Sequence, residues 1–509
     1  MASFSTSLAT VGGNTILSRI LGFARDLIVA RLFGADAGTD AFFVAFKIPN
    51  FMRRLFAEGA FSMAFVPILN EHREQRGFPA LKGFVDDIAG TLGAALLLIT
   101  ALGVLGAPAL VLIFAPGFAD DASQWELATT MLRLTFPYLL FISLTAFAGG
   151  ILNTYDRFGV PAFTPALLNL SLIGCAIWLA PHLERPIMAL AWGVFLAGMI
   201  QFAFQLPFLA QLNLVPRPRF NGHNPDIRRV LRRMGSALFG VSVAQISLLM
   251  DTLLASFLTT GSISWLYYSD RLMEFPLGIL AVTLGTVILP RLSRRHIAND
   301  PESFSHTLDW ALRWLLLLGV PSAIGLLVLA GPLMATLFQS NEFSADDVAM
   351  ASHSLMAYSL GLVGFMGIKI LAPGYYARQE MKTPVRIAAV ALLIGLGCSL
   401  ILMLPLGHSG LALGTAIAAT INAGLLLRGL LKQGILIPQA GWPTFLARIF
   451  AANLIMGVLV FLGTGSTADW MTMTTSGRAW HLLMWIALGA SVYLGALLAF
   501  GLRPRALVR

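Results

Sequence analysis

Five basic and three acidic side chains lie in apolar runs, where charge is hardest to hold. Arg19, Arg25 and Asp26 fall in the run 5–30, and Asp40, Lys47, Arg53, Arg54 and Glu58 in the run 40–69. Asp40, Lys47 and Arg54 are seven residues apart, so a helix stacks them on one stripe. Asn50 and Glu58 fall near that stripe and Arg53 flanks it, while the remaining surface is Phe, Ile, Leu, Val and Ala. A membrane helix patterned in this way is expected to line water along its stripe, and Pro49 to bend it near Phe46. A charge at the bilayer centre costs about 2.5–3.5 kcal/mol on insertion scales, so these groups need partners. Helix-neighbour spacing offers some: Arg54 with Glu58 and, in the run 262–289, Arg271 with Glu274, next to Asp270. In the first two runs the basic residues still exceed the acidic ones by two. That surplus calls for an anion, and the planar five-donor fork of arginine suits phosphate oxygens. Asp251, inside the run 230–258 with no basic neighbour, is open to three roles: binding a coupling cation, binding a proton, or pairing with an arginine.

The chain that must position these residues has 509 of them, 57% hydrophobic and only 12% charged. Soluble domains carry about twice that charge. With a mean hydropathy of +0.78, these values exclude a soluble enzyme, a disordered chain and a disulfide scaffold, and leave an all-α polytopic membrane protein. Fourteen runs are long enough to span: 5–30, 40–69, 84–114, 126–152, 161–181, 186–212, 230–258, 262–289, 305–332, 345–373, 384–405, 409–431, 444–463 and 480–502. Alternate loops carry twenty Lys and Arg on one side and three on the other (Arg31, Arg185 and Arg478), which places both termini in the cytoplasm. The same asymmetry accounts for the net charge of +9 without nucleic acid. Met1–Thr10 lacks a basic n-region and a cleavage site, so the first run is expected to stay as a span. No phosphate-binding loop of the ATPase type and no HExxH zinc motif occurs, and Cys175 and Cys398 alone make no metal site. No cofactor is expected.

The runs repeat. LAWGVFLAGMIQ (Leu190–Gln201) matches LALGTAIAATIN (Leu411–Asn422) at an offset of 221, and Thr164–Gly174 resembles the segment from Thr383. The span ending at Leu69 resembles the one ending at Leu292, and Asp26 aligns with Asp251. Spans 1–6 (residues 1–216) and 7–12 (217–433) are thus two copies, and an even span count makes them parallel, related by a pseudo-two-fold along the membrane normal. Spans 13 and 14 (434–509) lie outside the duplication. A cleft between the copies is the expected substrate site. In the second copy Arg19 and Arg25 fall on Ala244 and Met250, so these arginines are not requirements of the repeated scaffold. Asn169, Gln201, Gln205, Ser242, Gln245 and Asn422 read as interhelical hydrogen-bonding groups. Arg133, Asp309, Arg313 and Lys369 read as side chains snorkelling from span ends. Gly22 reads as a site of close packing or a bend in span 1.

SRILGFARDLIVARLFG (Ser18–Gly34), TDAFFVAFKIPNFMRRLFAEGAFSMAFVPIL (Thr39–Leu69), ISWLYYSDRLMEFPLGILAVTLGT (Ile263–Thr286) and LAPGYYARQEMKTPV (Leu371–Val385) resemble the MurJ (MviN) lipid II flippases of the multidrug/oligosaccharidyl-lipid/polysaccharide exporter superfamily. The resemblance covers nearly the whole chain. It implies two six-helix lobes in a V and a hydrophobic groove on spans 13 and 14. It implies a substrate, lipid II (undecaprenyl-diphosphate-linked disaccharide-pentapeptide), moved to the outer leaflet of the bacterial inner membrane for peptidoglycan synthesis, with membrane lipid and cell-wall synthesis proteins as further partners. Carried over by motif are Arg19, Arg25, Asp26, Asp40, Arg53 and Arg271, with Lys47, Arg54, Glu58, Asp270 and Glu274 in the same motifs. Some members bind sodium in the second lobe, for which Asp251 is the one candidate, so the choice between a coupling cation and the membrane potential as the energy source stays open. The alternatives are a cation-coupled drug or other polyprenyl-linked saccharide exporter on the same fold, a polyprenyl-phosphate glycosyltransferase, and a non-transporting scaffold for wall synthesis.

Overall fold

In lipid a backbone must satisfy its own polar groups, which leaves helices as the solution for long apolar runs. The computed structural model describes residues 2–54, 61–221 and 224–502, with side chains at all of these but 2–9, 62–63, 236–248, 280–284 and 286, and every regular element among them is helical. In chain order these are α1 (Ala2–Phe33), α2 (Ala37–Arg53), α3 (Ser62–Gln75), α4 (Gly77–Leu105), α5 (Ala107–Phe114), α6 (Ala122–Thr135), α7 (Tyr138–Thr154), α8 (Gly159–Gly174), α9 (Met188–Gln211) and α10 (Pro225–Ala255). They continue with α11 (Ser262–Pro276), α12 (Val282–Ile297), α13 (Pro301–Val328), α14 (Ala330–Leu337), α15 (Ala345–Tyr376), α16 (Lys382–Leu406), α17 (His408–Lys432), α18 (Trp442–Thr464), α19 (Thr467–Thr472) and α20 (Thr475–Ala499).

Ten helices among the described residues are long and apolar enough to cross a membrane. The elements α1, α2, α3, α10, α11 and α12 lie outside that set, and the helical architecture is consistent with fourteen spans. The most apolar of the ten, α16, is also the least buried, and Leu404 is 84% exposed. That inversion of the soluble rule marks lipid as the solvent of its outer face.

The element order is duplicated. A long helix, a short one and a reversal occur as α4, α5 and α6, and again as α13, α14 and α15. Arg157 Nη1 donates to Gln211 Oε1 at 2.9 Å, and Arg378 Nη1 donates to Gln433 Oε1 at 2.9 Å, so the same clamp closes corresponding turns of each copy. α2 runs through Pro49 as one helix to Arg53.

By packing, the chain divides into two compact units, 1–261 and 262–509. In the first, α10 is bound to its neighbours at both ends. Near its start, Asp226 receives Arg76 Nη1 of the α3–α4 turn at 2.7 Å and lies 3.2 Å from buried His72, while Arg229 pairs with Glu71 at 2.8 Å. The segment leading into it lies on α4: Arg217 N–H donates to the Asp86 carboxylate at 2.7 Å, and Asn221 and Asn224 donate to Asp87 at 2.9 Å. Gly90 permits this approach, since a Cβ there would stand 2.1 Å from the Arg219 carbonyl oxygen.

In the second unit α15 and α17 touch through small residues, the usual means of helix association in lipid. A Cβ on Gly364 would come within 2.7 Å of the Thr420 backbone nitrogen. Gly364→Val is therefore expected to cost about 1–3 kcal/mol by overpacking, read as a lowered unfolding temperature in detergent. An unchanged transition would mean that the pair separates without penalty.

Candidate functional site

The α1 charges resolve into one pair, Arg25 with Asp26, and two exposed arginines, Arg19 and Arg31. Arg25 and Asp26 are both buried, and the guanidinium donates to Asp26 Oδ1 from Nη2 at 2.6 Å and from Nε at 2.9 Å. Its Nη1 donates to Asn169 Oδ1 of α8 at 3.1 Å. Asn169 turns its own amide to the Ser18 carbonyl at 3.0 Å, so one side chain ties α1 to α8 and aims the arginine. Gly22 faces the Asn169 side chain, which is the close-packing role read from the sequence. Arg19, nearly two turns before Asp26 on the same stripe, is exposed. A fork held by a carboxylate and an amide is fixed in direction before any ligand arrives, which is what bidentate anion recognition needs.

The α2 stripe meets α10 over its first two positions. Asp40 is 2% exposed and accepts the N–H of Gly261, in the turn that leaves α10, at 2.7 Å. Gly261 has φ +93°, a conformation suited to glycine. Lys47, half-buried, donates to Thr252 Oγ1 at 2.6 Å. Below it Arg53 Nε donates to Asn50 Oδ1 at 2.9 Å, one turn back on the same helix, and Arg53 and Arg54 are both half-buried. Glu58 lies outside the described residues. Asp251, half-buried, immediately precedes Thr252. Thus Arg25 and Asp26 are brought together, while Lys47 takes a partner from the last turn of α10 and Asp40 one from the turn that follows it.

In the second unit the expected neighbour pairing occurs: Arg271 Nη1 donates to Glu274 Oε2 at 2.8 Å, and its Nη2 to the Tyr267 hydroxyl at 3.2 Å, with the guanidinium 4.9 Å from that ring centroid. Asp270 is half-buried beside it. α18 and α20 form an apolar groove of about 770 Å³ lined by Leu454, Ile455, Val458, Leu462, Trp485 and Leu488 among others.

Sequence reasoning treated Asn169 only as an interhelical hydrogen bond, and Thr252, Gly261 and Tyr267 not at all. Thr252 and Gly261 acquire their roles from residues far away in the chain, which spacing cannot show, whereas Tyr267, four residues before Arg271 on α11, stood at helix-neighbour spacing that could have found it. Gln201 and Gln205 behave as expected, donating to Thr164 O at 2.9 Å and Thr164 Oγ1 at 3.0 Å; Ser242 and Gln245 fall outside the described side chains. Asp309 and Arg313 differ from the snorkelling expectation, since Asp309 is 3% exposed and holds three donors.

The family model described as "Lipid II flippase MurJ" matches residues 29–478. The chain belongs to the lipid II flippase MurJ family. It is 44% identical to the "Lipid II flippase MurJ" of Burkholderia cenocepacia over 98% of this chain and 97% of the relative. It is 46% identical to the "Probable lipid II flippase MurJ" of Vibrio cholerae over 97% and 95%. A solved structure, "Lipid II flippase MurJ, inward closed conformation", superposes with a TM-score of 0.82 at 27% identity, covering 98% of this chain and 99% of that one. An inward-facing multidrug resistance MATE transporter of the MOP superfamily shares the fold at TM-score 0.69 and 13% identity, over 82% of this chain and 95% of that one. All four motifs quoted from the sequence, between Ser18 and Val385, lie in or overlap the stretch that the MurJ family model matches.

Proposed function

We propose that this chain carries lipid II from the cytoplasmic to the periplasmic leaflet of a bacterial inner membrane, without covalent change to it and with both termini in the cytoplasm. The observation that carries the reading is the likeness to lipid II flippases along the whole chain. The basic surplus of α1 and α2 supports it, because a diphosphate is the group such a surplus would hold. In this reading Arg25, oriented by Asp26 and Asn169, receives the diphosphate with Arg19 and Arg53, replacing its hydration by fixed donors. Arg271, Asp270 and Glu274 of α11 contact the head group, and the groove of α18 and α20 holds the polyprenyl chain. Alternating exposure to the two membrane faces then moves the head group across. The same surplus disfavours a cationic drug as cargo. Rapid inactivation of the protein in cells, followed by assay of head-group accessibility from outside, tests the function: lipid II that stays accessible would overturn it.

The energy source follows from charge. With the cytoplasm negative, outward movement of an anion is favoured by about 2.3 kcal/mol per charge per 100 mV. We propose that the membrane potential drives the loaded step, with no cofactor; a cation bound near Asp251 would serve to reset the empty carrier. Collapsing the potential in proteoliposomes is expected to slow flipping several-fold, and an unchanged rate would remove the electrical drive.

A further inference from the structure

We infer that a buried carboxylate, with the guanidinium and indole bonded to it at the foot of α18, sets the rotation of that helix, making Asp309 a positioning residue for the polyprenyl chain. The inference rests on the reading of the α18–α20 groove given above.

Asp309, on α13, is almost fully buried, and its two oxygens are divided between three donors. Oδ1 accepts Trp442 Nε1–H at 2.6 Å and Gln439 N–H at 3.1 Å, and Oδ2 accepts Arg313 Nε–H at 2.8 Å. Arg313 Nη2 reaches the Ala440 carbonyl at 3.1 Å, and the guanidinium lies 5.2 Å from the Trp442 ring centroid and 5.5 Å from that of Phe445. One turn earlier on α13, Ser305 Oγ accepts Ile437 N–H at 2.8 Å and donates to Ile437 O at 3.2 Å. The link entering α18 is therefore held by its backbone and by its first aromatic side chains.

Those aromatics decide which face of α18 points where. Trp442, Phe445, Ile449, Ala452, Met456 and Val460 recur at three and four residues, one helical stripe, buried from Phe445 onward. The groove residues Leu454, Ile455, Val458, Leu459 and Leu462 occupy the neighbouring stripe. A helix turns about 100° per residue, so fixing Trp442 and Phe445 fixes the direction of the groove stripe four turns away. The far end is closely packed too: a Cβ on Gly463 would stand 1.9 Å from the Trp485 ring, which is part of the groove lining. Burying a carboxylate to hold a loop is costly, and apolar packing alone would anchor it more cheaply. What the carboxylate adds is direction, since its hydrogen bonds fix the indole at one angle.

The test is tail selectivity in proteoliposomes, with two substrates sharing one diphosphate head group, one on an undecaprenyl and one on a farnesyl chain. Asp309→Ala is expected to slow the undecaprenyl substrate about tenfold and leave the farnesyl substrate unchanged. Asp309→Asn keeps an oxygen for Trp442 and Gln439 and should restore the long-chain rate to within about twofold. Trp442→Phe keeps an aromatic ring but loses the Nε1–H donor and the five-membered half of the indole, so it should reproduce the selective loss even where Asp309→Ala fails to fold. Equal slowing of both substrates, or no slowing of either, would overturn the positioning role. A wild-type protein that moves neither substrate would sink the lipid-carrier reading itself, and this inference with it.

Discussion

Arg25→Ala is expected to abolish translocation and to destabilise the protein by about 3–5 kcal/mol, because it leaves the buried Asp26 carboxylate without its guanidinium. The two effects are separable. The Arg25→Ala, Asp26→Ala double variant removes both charges and should recover much of the stability, since replacing a buried pair is far less costly than breaking it. It should recover none of the transport. Arg25→Lys retains charge but not the fork that bonds Asp26 and Asn169 together, and is expected to be impaired as well. Unfolding in detergent and flipping in proteoliposomes measure the two quantities on the same preparations. A double variant that transported normally would reduce Arg25 and Asp26 to scaffold.

Arg53→Ala is expected to eliminate head-group movement in a protein that still folds and inserts in the membrane. The residue is half-buried, and its Nε donates to Asn50 Oδ1 one turn back on the same helix. Its value is expected in the ligand-bound state, where a charge-assisted bond to phosphate replaces that to Asn50. Wild-type flipping by a folded, membrane-inserted Arg53→Ala protein would take Arg53 out of the site.

The contrast between these two arginines shows where sequence reading stops. Both stood in charged motifs within apolar runs, and nothing in their spacing distinguished them. Arg25 is buried because Asn169, 144 positions away, lies across from it. Asp40 had the same status as Lys47 on one stripe, but its partner is the N–H of Gly261, 221 positions away. Asp309 was the plainest misreading: position near a span end suggested snorkelling, while packing of the α18 link made it a buried hub.

Composition and periodicity by themselves determined that the chain is a helical membrane protein, that its halves are copies, and that the first carries surplus positive charge. These are sums and periods along one dimension, and hydrophobic partitioning responds to them directly. Motif likeness added the family. The partner of each charge, the choice of α10 as neighbour to the α2 stripe, and the fixed angle of the α18 face were decided only by tertiary structure. Helical periodicity says which residues share a face; what stands opposite that face depends on contacts between segments hundreds of residues apart.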